Sequence, residues 1–209
     1  MDSYIIHGTL TRNLLNILKD GFIDIKPKKK YITILSVEHP EQIFTQLLYR
    51  DMFDGENQYC HWFDSVIILD KQILKDFPFY VCDGVGGFGL SFKEGYNNDR
   101  FVIRGKGKLK KMPSLTKLKN FINKQIQIRK YLHQVNYMHS HEIMFGKKIP
   151  IKKYCKCIIM TKYTDPEYVK IEKKIKKICD ELDIPLKYQT LKCQTFNIGT
   201  NKLLDLIES

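Results

Sequence analysis

Two stretches of the chain carry residues whose types and placement could do chemistry. His7-Gly8-Thr9 ends the short apolar run "SYII", just where a helix-like pattern begins. Glu142 opens a second apolar run, "HEIMF". A glycine between two polar residues at a strand end lets backbone approach a ligand closely. A carboxylate entering an apolar strand is costly to bury alone, so it is either paired structurally or placed for function. The first stretch also has a plainer reading as a strand-to-helix corner, with Thr9 or Thr11 as N-cap accepting from free helix N–H groups. On the residues alone both readings stay open.

Other chemistries find less support. His139 and His141 share one face of a strand-like segment while Glu142 points to the other, and no further ligand has sensible spacing, so no metal is expected. Residues 84–89 are glycine-rich but lack the Gly-Lys-Ser/Thr of a phosphate loop and do not open directly into a helix. No Gly-x-Ser-x-Gly is present, and no cysteine has a distinctive catalytic context. The six cysteines lack Cys-x-x-Cys spacing and read as free, mostly buried thiols of a reducing compartment.

These residues need elements to hold them. Residues 4–7 read as a strand and 11–19 as a helix with Leu14, Leu15, Ile17 and Leu18 inward, closed by Gly21. "YITILSV", 31–37, reads as a strand, and 38–53 as a helix burying Ile43, Phe44, Leu47 and Leu48. Strands follow at 64–70 and 77–82, then a glycine-rich loop at 83–100 and a strand from 100. An amphipathic helix over 114–135 leads to strands at 141–145, 149–151 and 156–160. The tail reads as a helix over 166–182, a strand over 187–196 and a short helix after it. The pattern predicts an α+β fold around a split mixed or antiparallel sheet with flanking helices. Residues 1–162 would form the main domain, with 163–209 a helix-strand-helix extension packed on it.

The chain has 209 residues and a formal net charge of +12. No run approaches the ~20 apolar residues of a membrane span and no signal-peptide pattern opens the chain, so an intracellular, cytoplasmic protein with no membrane partner is expected. Between Arg100 and His141 there is no acidic residue but eleven basic ones. Such a field attracts polyanions before any specific contact forms. Lys106, Lys108, Lys110 and Lys111 are the candidates for contacting an acceptor such as DNA or RNA. The richness in Ile, Lys, Asn and Tyr suggests an AT-rich genome, and from composition alone a virus or parasite acting in host cytoplasm.

Taken in order, these pieces resemble the ADP-ribosyltransferase superfamily. The strand ending in His7-Gly8-Thr9, the helix with Asn13-Leu14 and Ile17-Leu18, and Gly21-Phe22 resemble its opening motif. "HEIMFGKKIPIKKYCKCIIM" resembles its last motif, in which a glutamate begins a strand followed by a turn and Ile-Pro. The Asn-Leu pair and the Ile-Pro tail lean toward the DarT-like, nucleic-acid-modifying branch. The likeness spans residues 3–161.

The resemblance implies a split sheet holding NAD as substrate, with no metal. His7 would hold a hydroxyl of the nicotinamide ribose, Gly8 would bind the carboxamide through its backbone, and Thr9 would support the adenosine side. Glu142 would stabilise the positive charge that builds on the ribose as the nicotinamide bond breaks. The superfamily's central Tyr or Ser motif has no clear counterpart here; Tyr31 and Ser36 are the candidates, with Tyr49 and Arg50 behind them. His7 and Glu142 are expected on adjacent strands facing one cleft. The acceptor would be nucleic acid or a host protein. An RNA 2′-phosphotransferase, which shares the opening motif, and a non-catalytic module that uses the fold and its basic surface to bind nucleic acid or a nucleotide remain as alternatives.

Overall fold

The computed structural model describes residues 3–24, 43–50, 58–61, 63–77, 79–82, 110–111, 114–131, 142–189 and 196–209. In chain order they form β1 (Ser3–Thr9), α1 (Thr11–Asp20), β2 (Phe22–Ile23), β3 (Ile43–Tyr49), β4 (Gln58–His61), β5 (Ser65–Asp70), α2 (Ile73–Asp76), β6 (Phe79–Cys82) and β7 (Lys110–Lys111). Then come α3 (Leu115–Tyr131), β8 (Glu142–Phe145), β9 (Ile149–Pro150), α4 (Ile151–Tyr154), β10 (Cys155–Thr161), α5 (Pro166–Leu182), β11 (Leu186–Gln189), β12 (Phe196–Gly199) and α6 (Thr200–Glu208). The class is α+β. The chain divides into two units, one of Met1–Asp24, Leu47–Ile73 and Lys148–Ser209, the other of Ile25–Gln46 and Leu74–Lys147.

The first unit holds a five-stranded mixed sheet in the order β11-β10-β5-β1-β3. β5 pairs antiparallel with β1 and β10, while β10 and β11 run parallel. Strands flanked on both sides and covered on both faces read as continuous apolar runs. Accordingly Val66, Ile67, Ile68 and Leu69 of β5 are all 0% exposed. Helices α1 and α5 pack against each other, with Leu14, Leu15 and Leu18 buried on α1 and Ile175 and Cys179 on α5. Burying each large aliphatic side chain stabilises by roughly 1.5–3 kcal/mol.

Local signals set the helix ends. Gly21 closes α1 at φ 78°, a left-handed conformation in which its N–H donates to the Ile17 carbonyl at 3.0 Å. The Asp165 side chain starts α5 by accepting from the N–H groups of Glu167 (2.8 Å) and Tyr168 (3.3 Å), with Pro166 in the first turn. Two smaller antiparallel pairs, β2 with β9 and β4 with β12, complete this unit.

In the second unit β8 lies between the opening residues of β3 and β6, and β6 continues to β7, all antiparallel. Phe145, 0% exposed, meets the rings of Phe77 at 6.4 Å and Phe79 at 6.3 Å. Leu118 and Ile122 turn the inner face of α3 into the core, and the Ser114 hydroxyl accepts from the Lys117 N–H at 3.3 Å.

The structure corrects two expectations. Residues 43–49, expected within a helix over 38–53, form strand β3. Ile43, Thr45, Leu47, Leu48 and Tyr49 are all buried, and an interior strand buried on both faces loses the alternation that would distinguish it from a helix. The strand expected at 149–151 ends at Pro150, and Ile151 begins the short helix α4. The expected strand at 31–37, the glycine-rich loop at 83–100 and residues 101–109 lie outside the described residues.

Candidate functional site

β1 carries the opening motif into the first unit. Its side chains alternate, so Ser3, Ile5, His7 and Thr9 share one face while Tyr4, Ile6 and Gly8 share the other. His7 is half-buried opposite Ile67, and Thr9, opposite Ser65, is 8% exposed. Gly8 faces the ring of Phe63 so closely that a Cβ built on Gly8 would fall inside the ring's contact surface. The close approach that explains this glycine is therefore made by the protein's own aromatic side chain. Gly8→Ala should destabilise the fold by ~1–3 kcal/mol, the usual range for overpacking. The Phe63→Ala background should remove most of that cost. Thermal melting of the two single variants and the double variant measures the coupling, and additive losses would contradict the contact.

The helix start after this motif differs from the expected threonine cap. Leu10 occupies the N-cap position with no side-chain cap and is 49% exposed. Asp64, just before β5, takes over the role from 53 residues away. Its Oδ1 accepts from the Thr11 N–H at 2.6 Å and the Thr11 hydroxyl at 2.9 Å, with the Ser65 hydroxyl at 3.2 Å. Its Oδ2 accepts from the Tyr163 hydroxyl at 2.8 Å. The Asp64 carbonyl accepts from the Thr161 N–H at 2.9 Å. Asp64 is only 6% exposed, and among the described residues no cation pairs with it. Four donors and the positive end of the α1 dipole compensate its charge instead. Burial, followed by the bond to Asp64, raises the Tyr163 phenol above its ordinary value.

Around this buried knot lies a more exposed layer. Tyr163 stacks against Tyr168 with ring centroids 4.5 Å apart. Arg12 lies 5.5 Å from the Tyr168 ring centroid and pairs with Glu167 at 2.9 Å. Sequence reasoning missed Asp64 and Tyr163 altogether. The one available signal was an aspartate just ahead of a strand with the apolar run 66–69, much as Glu142 stands ahead of 143–145.

The two ends of the opening and closing motifs meet in the first unit. Phe22 pairs with Pro150 and Ile23 with Ile149, and the Ile151 N–H donates to the Gly21 carbonyl at 2.9 Å. Lys148 adds an ion pair to Asp24 at 3.0 Å and lies 4.3 Å from the Phe22 ring centroid.

The other candidates fall as follows. Glu142 is the first residue of β8, opposite Cys82, in the second unit. Both edges of β8 are taken, by β3 and β6, whereas β1 pairs with β5. His7 and Glu142 are therefore not on hydrogen-bonded neighbouring strands, contrary to expectation, because β3 completes the ladder of β8. Lys110 and Lys111 form β7, opposite Val81 and Tyr80. Tyr31, Ser36, Lys106, Lys108, His139 and His141 lie outside the described residues. Tyr49 is 6% exposed, and burial pushes its phenol up to about 12. Arg50 is held by Asp205 and Glu208, each at 3.0 Å.

Among the described residues no group of three His, Cys, Asp or Glu side chains could hold a metal ion. Cys155, Cys157 and Cys179 are free. Burial pushes the thiols of Cys157 and Cys179 up to about 11, and raises Cys155 further. At neutral pH they are protonated and poor nucleophiles. No helix of the described residues is long and apolar enough to cross a membrane. No protein-family model matches the chain, and no curated protein matches it either.

Proposed function

We propose that the chain is an NAD-consuming ADP-ribosyltransferase that breaks the nicotinamide–ribose bond and passes ADP-ribose to a nucleic-acid or protein acceptor. The observation that carries this reading is the pairing of Phe22-Ile23 with Ile149-Pro150. It brings together the ends of the two sequence motifs that resemble the superfamily, from opposite parts of the chain. A glutamate opening an apolar strand just ahead of that pair adds support, since Ile143 and Phe145 after it are 0% exposed. In this reading Glu142 stabilises the oxocarbenium-like ribose, and His7 holds a ribose hydroxyl.

One observation favours a second reading, a nucleic-acid-binding module without turnover: the Phe63 ring fills the space beside Gly8 that a nucleotide would need on that face. Incubation with NAD labelled in its adenylate part, alone and with DNA, RNA or lysate protein, separates the two. Label joined covalently to an acceptor, with nicotinamide released in equal amount, is the result expected of the transferase. DNA or RNA bound by the chain with no nicotinamide released would replace it with the binding module.

A further inference from the structure

Helix α5 carries lysines at positions 170, 173, 174 and 177, the three- and four-residue spacing that puts side chains on one helical face. All four are exposed, as is the neighbouring Lys176. Of the helix's acids, two are committed elsewhere, and Asp180 and Glu181 stand at its C-terminal end. Glu167 pairs with Arg12 at 2.9 Å, and Glu172 bonds to the Tyr188 hydroxyl. Only Lys177 has an acidic partner, Glu181, at a loose 3.9 Å between side chains 79% and 60% exposed. Among the described residues Lys170, Lys173, Lys174 and Lys176 have none.

Like charges at these spacings repel and weaken a helix. Alternating glutamates would relieve the strain, yet this face has none between Lys170 and Lys177. The opposite face, through Ile175 and Cys179, is buried against the first unit, so the lysine stripe points outward from a fixed support. At 1.5 Å rise per residue the stripe is roughly 10 Å long, enough to meet several phosphates of a duplex that carries one charge per ~1.7 Å of axis.

We propose that this face of α5 docks the sugar-phosphate backbone of double-stranded nucleic acid without reading its sequence. Lysine is a point charge on a flexible stem, suited to phosphate oxygens rather than to the paired donor geometry that reads bases. The inference concerns binding alone and stands whether or not the chain consumes NAD.

The full chain, titrated against a labelled mixed-sequence duplex of about 20 base pairs at several salt concentrations, tests it. Replacing the four lysines by glutamine (K170Q, K173Q, K174Q and K177Q) should weaken binding at least ~10-fold at ~0.1 M salt. It should also flatten the slope of log affinity against log salt by roughly 2 to 3.6, at about 0.9 for each phosphate that a lysine no longer neutralises. The four Lys→Arg changes, which keep the charge, should hold affinity near wild type. Glutamine at Lys19, Lys71, Lys75 and Lys202, the same charge change elsewhere on the chain, should cost much less. An equal loss in that control would reduce the effect to net charge and overturn the docking face. So would tighter binding to polyglutamate than to the duplex, or no duplex binding by the wild type at ~10⁻⁴ M. Unchanged melting of the glutamine variant confirms that binding, not folding, was altered.

Discussion

Glu142→Gln should lower ADP-ribose transfer by ~10²-fold or more while leaving the protein folded. The two side chains have nearly the same shape, so the exchange changes charge and leaves volume almost untouched. On the proposed reading, what is lost is a negative charge opposing the positive charge of the transition state, and losses of this kind commonly cost 10²–10³-fold in rate. The effect should fall on the rate at saturating NAD more than on NAD affinity, because the charge to be stabilised develops only as the bond breaks. A glutamate serving instead as a structural partner would give the reverse: reduced thermal stability with turnover intact. Measuring nicotinamide release and melting temperature on the same preparation decides between them, and wild-type turnover in the glutamine variant would end the catalytic assignment.

The largest expected effect on stability is at Asp64. Asp64→Ala removes the acceptor for the Thr11 N–H, the Thr11 hydroxyl and the Tyr163 hydroxyl at once. Groups left unsatisfied in a buried site cost more than the bonds themselves contributed. A loss of ~2–4 kcal/mol follows, or a fall of about 5–15 °C in melting temperature for a domain of this size. Tyr163→Phe, which removes a single donor, should cost clearly less, and Asp64→Asn should fall between. If Asp64→Ala melts within a degree of wild type, the start of α1 is held by something other than this carboxylate.

The sequence made some of this architecture readable and hid the rest for physical reasons. Helix α5 matched its expected span of 166–182 because both ends carry local signals: Asp165-Pro166 at the start and Asp183, in a left-handed conformation at φ 56°, at the close. Strand β5 stood out as an apolar run bounded by aspartates. Strand β3 did not, because Ile43, Phe44, Leu47 and Leu48 fit a helical face equally well, and only its neighbours in the sheet decide the matter. At the candidate site, the half-buried His7 and the polar corner after it were legible as a place of interest. Their reasons were not, since Gly8 is explained by Phe63 and Thr11 by Asp64, partners that no local window contains. Glu142 was read inside a strand over 141–145, and β8 begins at Glu142 itself, but the strands beside it were not foreseen.

The order in which the first unit is assembled has a consequence for synthesis on the ribosome. Its sheet draws on three separated lengths of chain. β1 and β5 can pair early, but β10, the other neighbour of β5, begins 155 − 70 = 85 positions after β5 ends. At a translation rate of ~5–20 residues per second, roughly 4–17 s pass before β10 follows. Through that interval one edge of a strand whose Val66, Ile67, Ile68 and Leu69 are all buried has no partner, and unpaired apolar edges recruit other chains. Tyr163, which completes the Asp64 knot, emerges later still. A nascent chain stalled before Lys148 should therefore hold α1 loosely, bind holdase chaperones and yield readily to protease. Release of the whole chain should restore protection in one step, as β10 closes the sheet.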